Sequence, residues 1–217
     1  MNVVITGTSR GMGRETAIKF LSEGHVVIGI DVAPSNIIDD NYTHVVADVS
    51  KKDELPDIKE VNILINNAGV QGTETDIDVN LRGLINCTEK YALNNKDIKS
   101  VVNQAAASGT TGADFGEYVA SKGGVIAYTK YTAKEIAKYG ATCNSLSFGG
   151  VLSPVNWNVI NDTKKWNKIM SMTPLHKWAT SDEAADWIYF LAVINKSCTA
   201  QDIIIDNGEE FNHSFVW

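Results

Sequence analysis

The sequence predicts an α/β fold, a doubly wound parallel sheet of about seven strands with helices on both faces. Three observations lead there. Short runs rich in β-branched residues recur at 3–6, 25–30, 44–47, 63–66, 100–103, 141–146 and 202–205, and such largely apolar runs are the mark of strands buried on both faces. Stretches with helical spacing separate most of them, at 11–23, 79–94, 117–139 and 181–195. The first strand passes through a glycine-rich turn straight into a helix. Ligands of such a sheet sit beyond the carboxyl ends of its strands, where the strand order reverses. The loops that follow the strands are therefore where chemistry is expected.

Size and composition narrow the classes. The 217 residues suit one domain spanning 1–217, with 44% hydrophobic and 21% charged residues and no linker-like stretch. A net charge of −7 without a Lys/Arg cluster argues against a nucleic-acid partner. No signal-peptide pattern precedes the first strand, and the longest apolar run, 187–194, is far short of the roughly 20 residues that cross a bilayer. A cytoplasmic protein without a membrane segment is expected, and that run reads as a buried helix. Cys87, Cys143 and Cys198 are odd in number and widely spaced, which offers neither a disulfide framework nor a Cys-x-x-Cys site. The four histidines are scattered, so no metal is assigned.

The opening turn, Thr6-Gly7-Thr8-Ser9-Arg10-Gly11-Met12-Gly13, has the features of a pyrophosphate cradle. Gly7 allows the tight turn, Gly11 lets backbone approach the phosphates, and Gly13 permits helix to pack on strand. Ser9, Arg10 and Met12 lie within the cradle, and the helix N-terminus adds free amides and partial positive charge. Asp31 ends the second strand about twenty residues on, where a carboxylate bonds the adenosine ribose hydroxyls and repels a 2′-phosphate. Arg10 pulls the other way, since a guanidinium pairs with that phosphate. The balance favours NAD over NADP. Asp48 and Val49 follow the third strand; Asp48 suits an adenine amino group and, equally, a plain turn former.

Thr6-Gly7-x-x-x-Gly11-x-Gly13, Asn66-Asn67-Ala68-Gly69 and Tyr118-x-x-x-Lys122 occur in an order and approximate spacing that resemble the short-chain dehydrogenase/reductase family. The resemblance extends over nearly the whole chain, because 144–153 is similar to the family's segment beside the nicotinamide and 205–208 to its final strand and turn. It implies a Rossmann-type sheet and hydride transfer between NAD(P) and a carbonyl or alcohol. Tyr118 and Lys122 stand one helical turn apart, on one face of a helix. A free phenol has a pKa of about 10, and the lysine's positive charge favours tyrosinate, so the tyrosine can serve as acid in reduction and base in oxidation. The resemblance further implies that Lys122 holds the nicotinamide ribose, Asn80 completes a proton relay, Asn67, Ala68 and Gly69 pass beneath the adenosine ribose, and Val151 and Ser153 bind the carboxamide. A helix cap is the structural alternative for Asn80.

The pattern also breaks. The family's catalytic serine falls at Ala105 or Ala106 in Asn103-Gln104-Ala105-Ala106-Ala107-Ser108-Gly109. Losing one donor of that kind costs about two to three orders of magnitude in rate. An introduced alanine, substitution by Ser108 from about 7 Å further along the chain, and a nucleotide-binding protein impaired in catalysis, a sensor or scaffold, are the three explanations. The link 70–79 is short where the family inserts a helix, Phe148 stands for a proline, and Ala200 and Asn207 stand for glycines. Residues 154–175, with Trp157, Trp166, Met170 and Met172, are expected to form a helical lid over a small-molecule substrate. The aromatic tail 211–217 suits packing against another subunit, and a homodimer or homotetramer is expected through the helices around Val79 and Glu117.

Overall fold

A computed structural model describes residues 1–113 and 115–211. Seven parallel strands form the main sheet: β1 (Asn2–Thr6), β2 (Val26–Asp31), β3 (Tyr42–Val46), β4 (Ile63–Asn66), β5 (Ser100–Gln104), β6 (Thr142–Phe148) and, last in the chain, β9 (Asp202–Ile205). Their spatial order is β3-β2-β1-β4-β5-β6-β9. The order reverses between β1 and β4, so the crevice expected for a ligand opens above those two strands. A second, two-stranded sheet pairs β7 (Val151–Leu152) with β8 (Ala179–Thr180).

Both faces of the central strands are covered, which is why β1 and β4 look almost continuously apolar in the sequence. Along β1, Val3 and Ile5 pack with Phe20 of α1 (Gly11–Ser22) and Ile188 of α7 (Ser181–Tyr189). Val4 points the other way, into a cluster with Cys87 and Tyr91 of α2 (Leu84–Tyr91) and Ile136 of α4 (Gly116–Ile136). Burial of such side chains stabilises by about 1.5–3 kcal/mol each.

α7 begins where its local chemistry dictates. Thr180 and Glu183 form a reciprocal capping box at the start of α7, with Thr180 Oγ1 accepting from Glu183 N and Glu183 Oε2 accepting from Thr180 N. The 187–194 run is corrected here: Ile188, Leu191 and Ala192 are buried, but Trp187, Phe190 and Ile194 are 41%, 46% and 56% exposed. The sheet offers this helix one face to bury against, so an all-apolar stretch ends up half in water. Before α2 the chain winds through a π-helical turn, Asp78–Gly83, that periodicity alone does not reveal.

Phe148 is accommodated as the last residue of β6, paired with Ile205 and 4% exposed. Ala200 and Asn207, both standing where the family has glycine, hold left-handed backbone with φ of 61° and 58°. Such backbone favours glycine, and asparagine tolerates it better than alanine.

Candidate active site

The glycine-rich turn is locked to the loop after β4. Thr6 Oγ1 accepts from the backbone amides of Asn67 (3.0 Å) and Ala68 (2.9 Å), while Asn67 Nδ2 donates to Thr6 O (3.0 Å) and Gly7 O (3.3 Å). Gly7 and Gly11 have φ of 78° and 56°, open to glycine at little cost. A Cβ on Gly13 would overlap Gly7 O and Asn67 Nδ2. Gly13→Ala is therefore expected to separate turn from loop, lowering the unfolding midpoint and abolishing dinucleotide binding; unchanged binding by titration would show that the contact can relax. Thr6 was missed as an anchor by sequence reasoning, although its place at the strand end is a signal. Arg10 is exposed, its main-chain oxygen accepts from Arg14 N at 3.4 Å, its side chain has no hydrogen-bond or ion-pair partner among the described residues, and Met12 is half-buried.

Asp31 binds the same turn. Its Oδ2 accepts from Ser9 N at 2.9 Å and its Oδ1 from Ala33 N at 3.0 Å, and Ser9 Oγ donates to Ala33 O. The carboxylate thus stands at the mouth of the crevice beside the cradle. Asp48 takes a turn-forming role, with Oδ1 accepting from Ser50 N and Ser50 Oγ. The Val49 side chain is committed to the core, 5% exposed and packed where a Cβ on Gly83 would press against it.

Four elements converge on Lys122. Its Nζ lies 5.6 Å from the centroid of the Tyr118 ring and donates to Gln104 O at 3.0 Å. With 3% exposure the ammonium is poorly solvated, and burial pulls its pKa down to about 8, against the opposing pull of Asp76. Asp76 is itself 1% exposed, its carboxylate accepting from Gly72 N, Thr73 N and Thr73 Oγ1. Nothing in the sequence pattern singles out that residue. Asn80, in the π turn, is no cap: Oδ1 accepts from Val70 N (2.8 Å), and Nδ2 donates to Val70 O (2.9 Å) and Ser121 Oγ (3.1 Å). A Cβ on Gly69 would sit 3.0 Å from Asn80 Oδ1 and 3.6 Å from Lys122 Nζ, so bare backbone lies beside the lysine. Asn67 to Gly69, Asn80, Tyr118 and Lys122 are brought to one place.

The alanine run is resolved by pairing that continues past β5. Ala105 N donates to Leu146 O and Ala107 N to Phe148 O, so side chains keep alternating. Ala105, 1% exposed, packs with Leu84 and Val125. Ala106 and Gln104 therefore share the opposite face, and a serine hydroxyl at 105 would enter an apolar cluster. Ser108 begins a short helix, α3 (Ser108–Thr111), with its Oγ shielded and without a hydrogen-bond partner. α3 lies directly on α4: a Cβ on Gly109 would come within 2.9 Å of Lys122 C and 3.0 Å of Gly123 N.

On the far side, Val151 pairs with Ala179, and Ser153 is 6% exposed. Ser153 Cβ and Pro154 Cδ stand 3.7 Å from where a Cβ on Gly11 would be, so this stretch faces the glycine-rich turn. The following segment is helical, in α5 (Trp157–Ile160) and α6 (Thr163–Met172), neither of which buries a residue. Trp157 is 58% exposed, and Trp166 meets Trp178 edge-on at 5.2 Å. Of the aromatic tail, Phe211 is exposed and 212–217 lie outside the described residues.

The chain is similar to known proteins in sequence and in fold. The family model described as enoyl-(acyl carrier protein) reductase matches residues 7–210. The chain is 30% identical over 241 residues to 3-oxoacyl-(acyl-carrier-protein) reductase FabG of Staphylococcus epidermidis, covering 95% of this chain and 98% of that protein. Among solved structures, it superposes on 4-hydroxyisoleucine dehydrogenase complexed with NADH with a TM-score of 0.88 at 25% identity, over 96% of this chain and 98% of the other. A chain from Agrobacterium tumefaciens with bound NADP gives a TM-score of 0.87 at 24% identity, over 97% and 96%.

Proposed function

The chain belongs to the short-chain dehydrogenase/reductase family, and from that premise we propose that it transfers a hydride between a nicotinamide cofactor, NAD in preference to NADP, and a small carbonyl or alcohol substrate. The observation that carries the reading is the Lys122 ammonium held 5.6 Å from the Tyr118 ring. Buried charge next to a phenol lowers the cost of forming a phenolate, which is what acid–base exchange at a substrate oxygen requires.

The residues present fit a dinucleotide. The turn with left-handed Gly7 and Gly11 and no space for a side chain at Gly13 is a cradle that a Cβ would fill, and α1 begins there with no side chain capping its amides. Gly7, Ser9, Arg10, Gly11, Met12 and Gly13 would hold the pyrophosphate, Asp31 the adenosine ribose, and Asp48 with the Val49 main chain the adenine. Asn67, Ala68 and Gly69 would line the way to Lys122, which would hold the second ribose, with Val151 and Ser153 at the carboxamide. When bound, the nicotinamide gives or takes the hydride.

The chain's own part is proton and position. Tyr118 Oη bonds the substrate oxygen, donating its proton in reduction and recovering one in oxidation. Lys122 stabilises the phenolate in between and does so while it remains charged. Asn80 holds Val70 and Ser121 together, and Ser121 Oγ in turn donates to Tyr118 O at 2.7 Å, which keeps the tyrosine's helix in register with the loop. The carboxylate of Asp31 beside the ribose repels a 2′-phosphate. Ala106 favours a second reading, a dinucleotide-binding protein that turns over poorly.

The test is direct. With NADH deuterated at C4 and a panel of ketones and aldehydes, label is expected in the alcohol product, and NADH is expected to bind about tenfold or more tightly than NADPH. Equal affinities would sink the cofactor preference. Tight NADH binding without any label transfer, even with serine restored at 106, would favour the second reading.

A further inference from the structure

We propose that the Gln104 carboxamide is a binding residue for the nicotinamide half of the cofactor, an inference that rests on the dinucleotide reading above. Gln104 ends β5, the strand next to β4 on the far side of the crevice from β2. Its main-chain oxygen holds Lys122 Nζ at 3.0 Å, so its side chain starts where the lysine stands. Its Nε2 lies 3.9 Å from Met12 Sδ, in the first turn of α1. The side chain thus spans the mouth of the sheet from the lysine to the glycine-rich turn, the path between ribose-holding and phosphate-holding groups.

The carboxamide is poorly satisfied there. A thioether sulfur is a weak acceptor for Nε2, and Oε1 is shielded from solvent without a hydrogen-bond partner. Leaving a shielded carbonyl oxygen unpaired is unfavourable. A carboxamide needs one donor and one acceptor together, and ribose hydroxyls or the cofactor's own carboxamide supply both. The neighbour on the same face, Ala106, brings no polar atom, and Ala105 faces the apolar cluster. At this strand end the polar side chain facing the crevice is Gln104, which extends further than a serine would.

Dissociation constants of NADH and of 5′-AMP, which contains the adenosine half alone, are measured on the full chain for the wild type, Gln104→Leu and Gln104→Met. Methionine keeps the length and the packing against Met12 but drops the amide. Both variants are expected to weaken NADH about three- to tenfold, the size of one net hydrogen bond, to leave 5′-AMP unchanged and to unfold at or above the wild-type temperature, since the unpaired carbonyl oxygen is gone. Unchanged NADH affinity overturns the proposal while leaving the dinucleotide site standing. A parallel loss of NADH and 5′-AMP also overturns it, because the side chain would then act by shaping the turn through Met12. If the wild-type chain binds 5′-AMP but not NADH, or binds neither, the dinucleotide reading itself fails and takes this assignment with it.

Discussion

Ala106→Ser is expected to raise kcat for carbonyl reduction by about two to three orders of magnitude, the usual value of one donor aimed at a developing oxyanion. Ala106 lies on the face of the strand end away from Leu84 and Val125, so a hydroxyl there does not enter that apolar cluster. Ala105→Ser serves as the control. There the hydroxyl enters the cluster with Leu84 and Val125, so it is expected to lower stability by about 1–3 kcal/mol without raising the rate. Steady-state kinetics on both variants with NADH checks the pair. A rate unmoved by Ala106→Ser, with NADH still bound tightly, would remove the serine from the account and favour a chain that binds the cofactor without efficient chemistry.

Lys122→Met is expected to move activity and stability in opposite directions. Activity falls by about two to four orders of magnitude, because the phenolate of Tyr118 loses its counter-charge. Stability at pH 7 rises. The sign follows from linkage: burial brings the folded-state pKa to about 8 from its ordinary value of 10.5. Between those pH values the unfolded chain holds a proton that the folded chain has released. Stability therefore increases as pH rises through that window, and below pH 8 the fold bears the full cost of a buried ammonium. That cost is roughly 2–4 kcal/mol, which for a chain of this size corresponds to several degrees in unfolding temperature. Methionine fills much the same space without charge. Thermal unfolding at pH 7 and pH 10 checks the claim, since the advantage of the variant shrinks at the higher pH. A variant less stable than wild type at pH 7 would mean that the contact with Gln104 O and the charge of Asp76 outweigh desolvation. Such a gain in stability on losing function is the pattern of a strained or poorly solvated catalytic group.

These two expectations start from residues visible in the sequence, yet the reasons for their size are tertiary. Ala105 and Ala106 are indistinguishable as letters. The choice between them came from Ala105 N and Ala107 N continuing the pairing with β6, which sets the side on which each methyl lies. The lysine is one turn from the tyrosine on any helix, but its burial depends on Gly69, Asn80 and Gln104 arriving from three other elements. Asp76 entered the site because the short link after Gly69 folds back over its carboxylate, a contact that no spacing rule anticipates.

By itself the sequence determined the alternation of strands and helices, the glycine turn where a side chain has no room, and the residue types of the tyrosine–lysine pair, because each of these is written in a few neighbouring positions and governed by local backbone geometry. The tertiary structure alone decided which side chains lose water, which half of the 187–194 helix stays in contact with it, and where the π turn places Asn80. Burial and convergence depend on segments far apart in the chain, and the free energy of a charge or a hydroxyl is set by whatever those segments bring beside it.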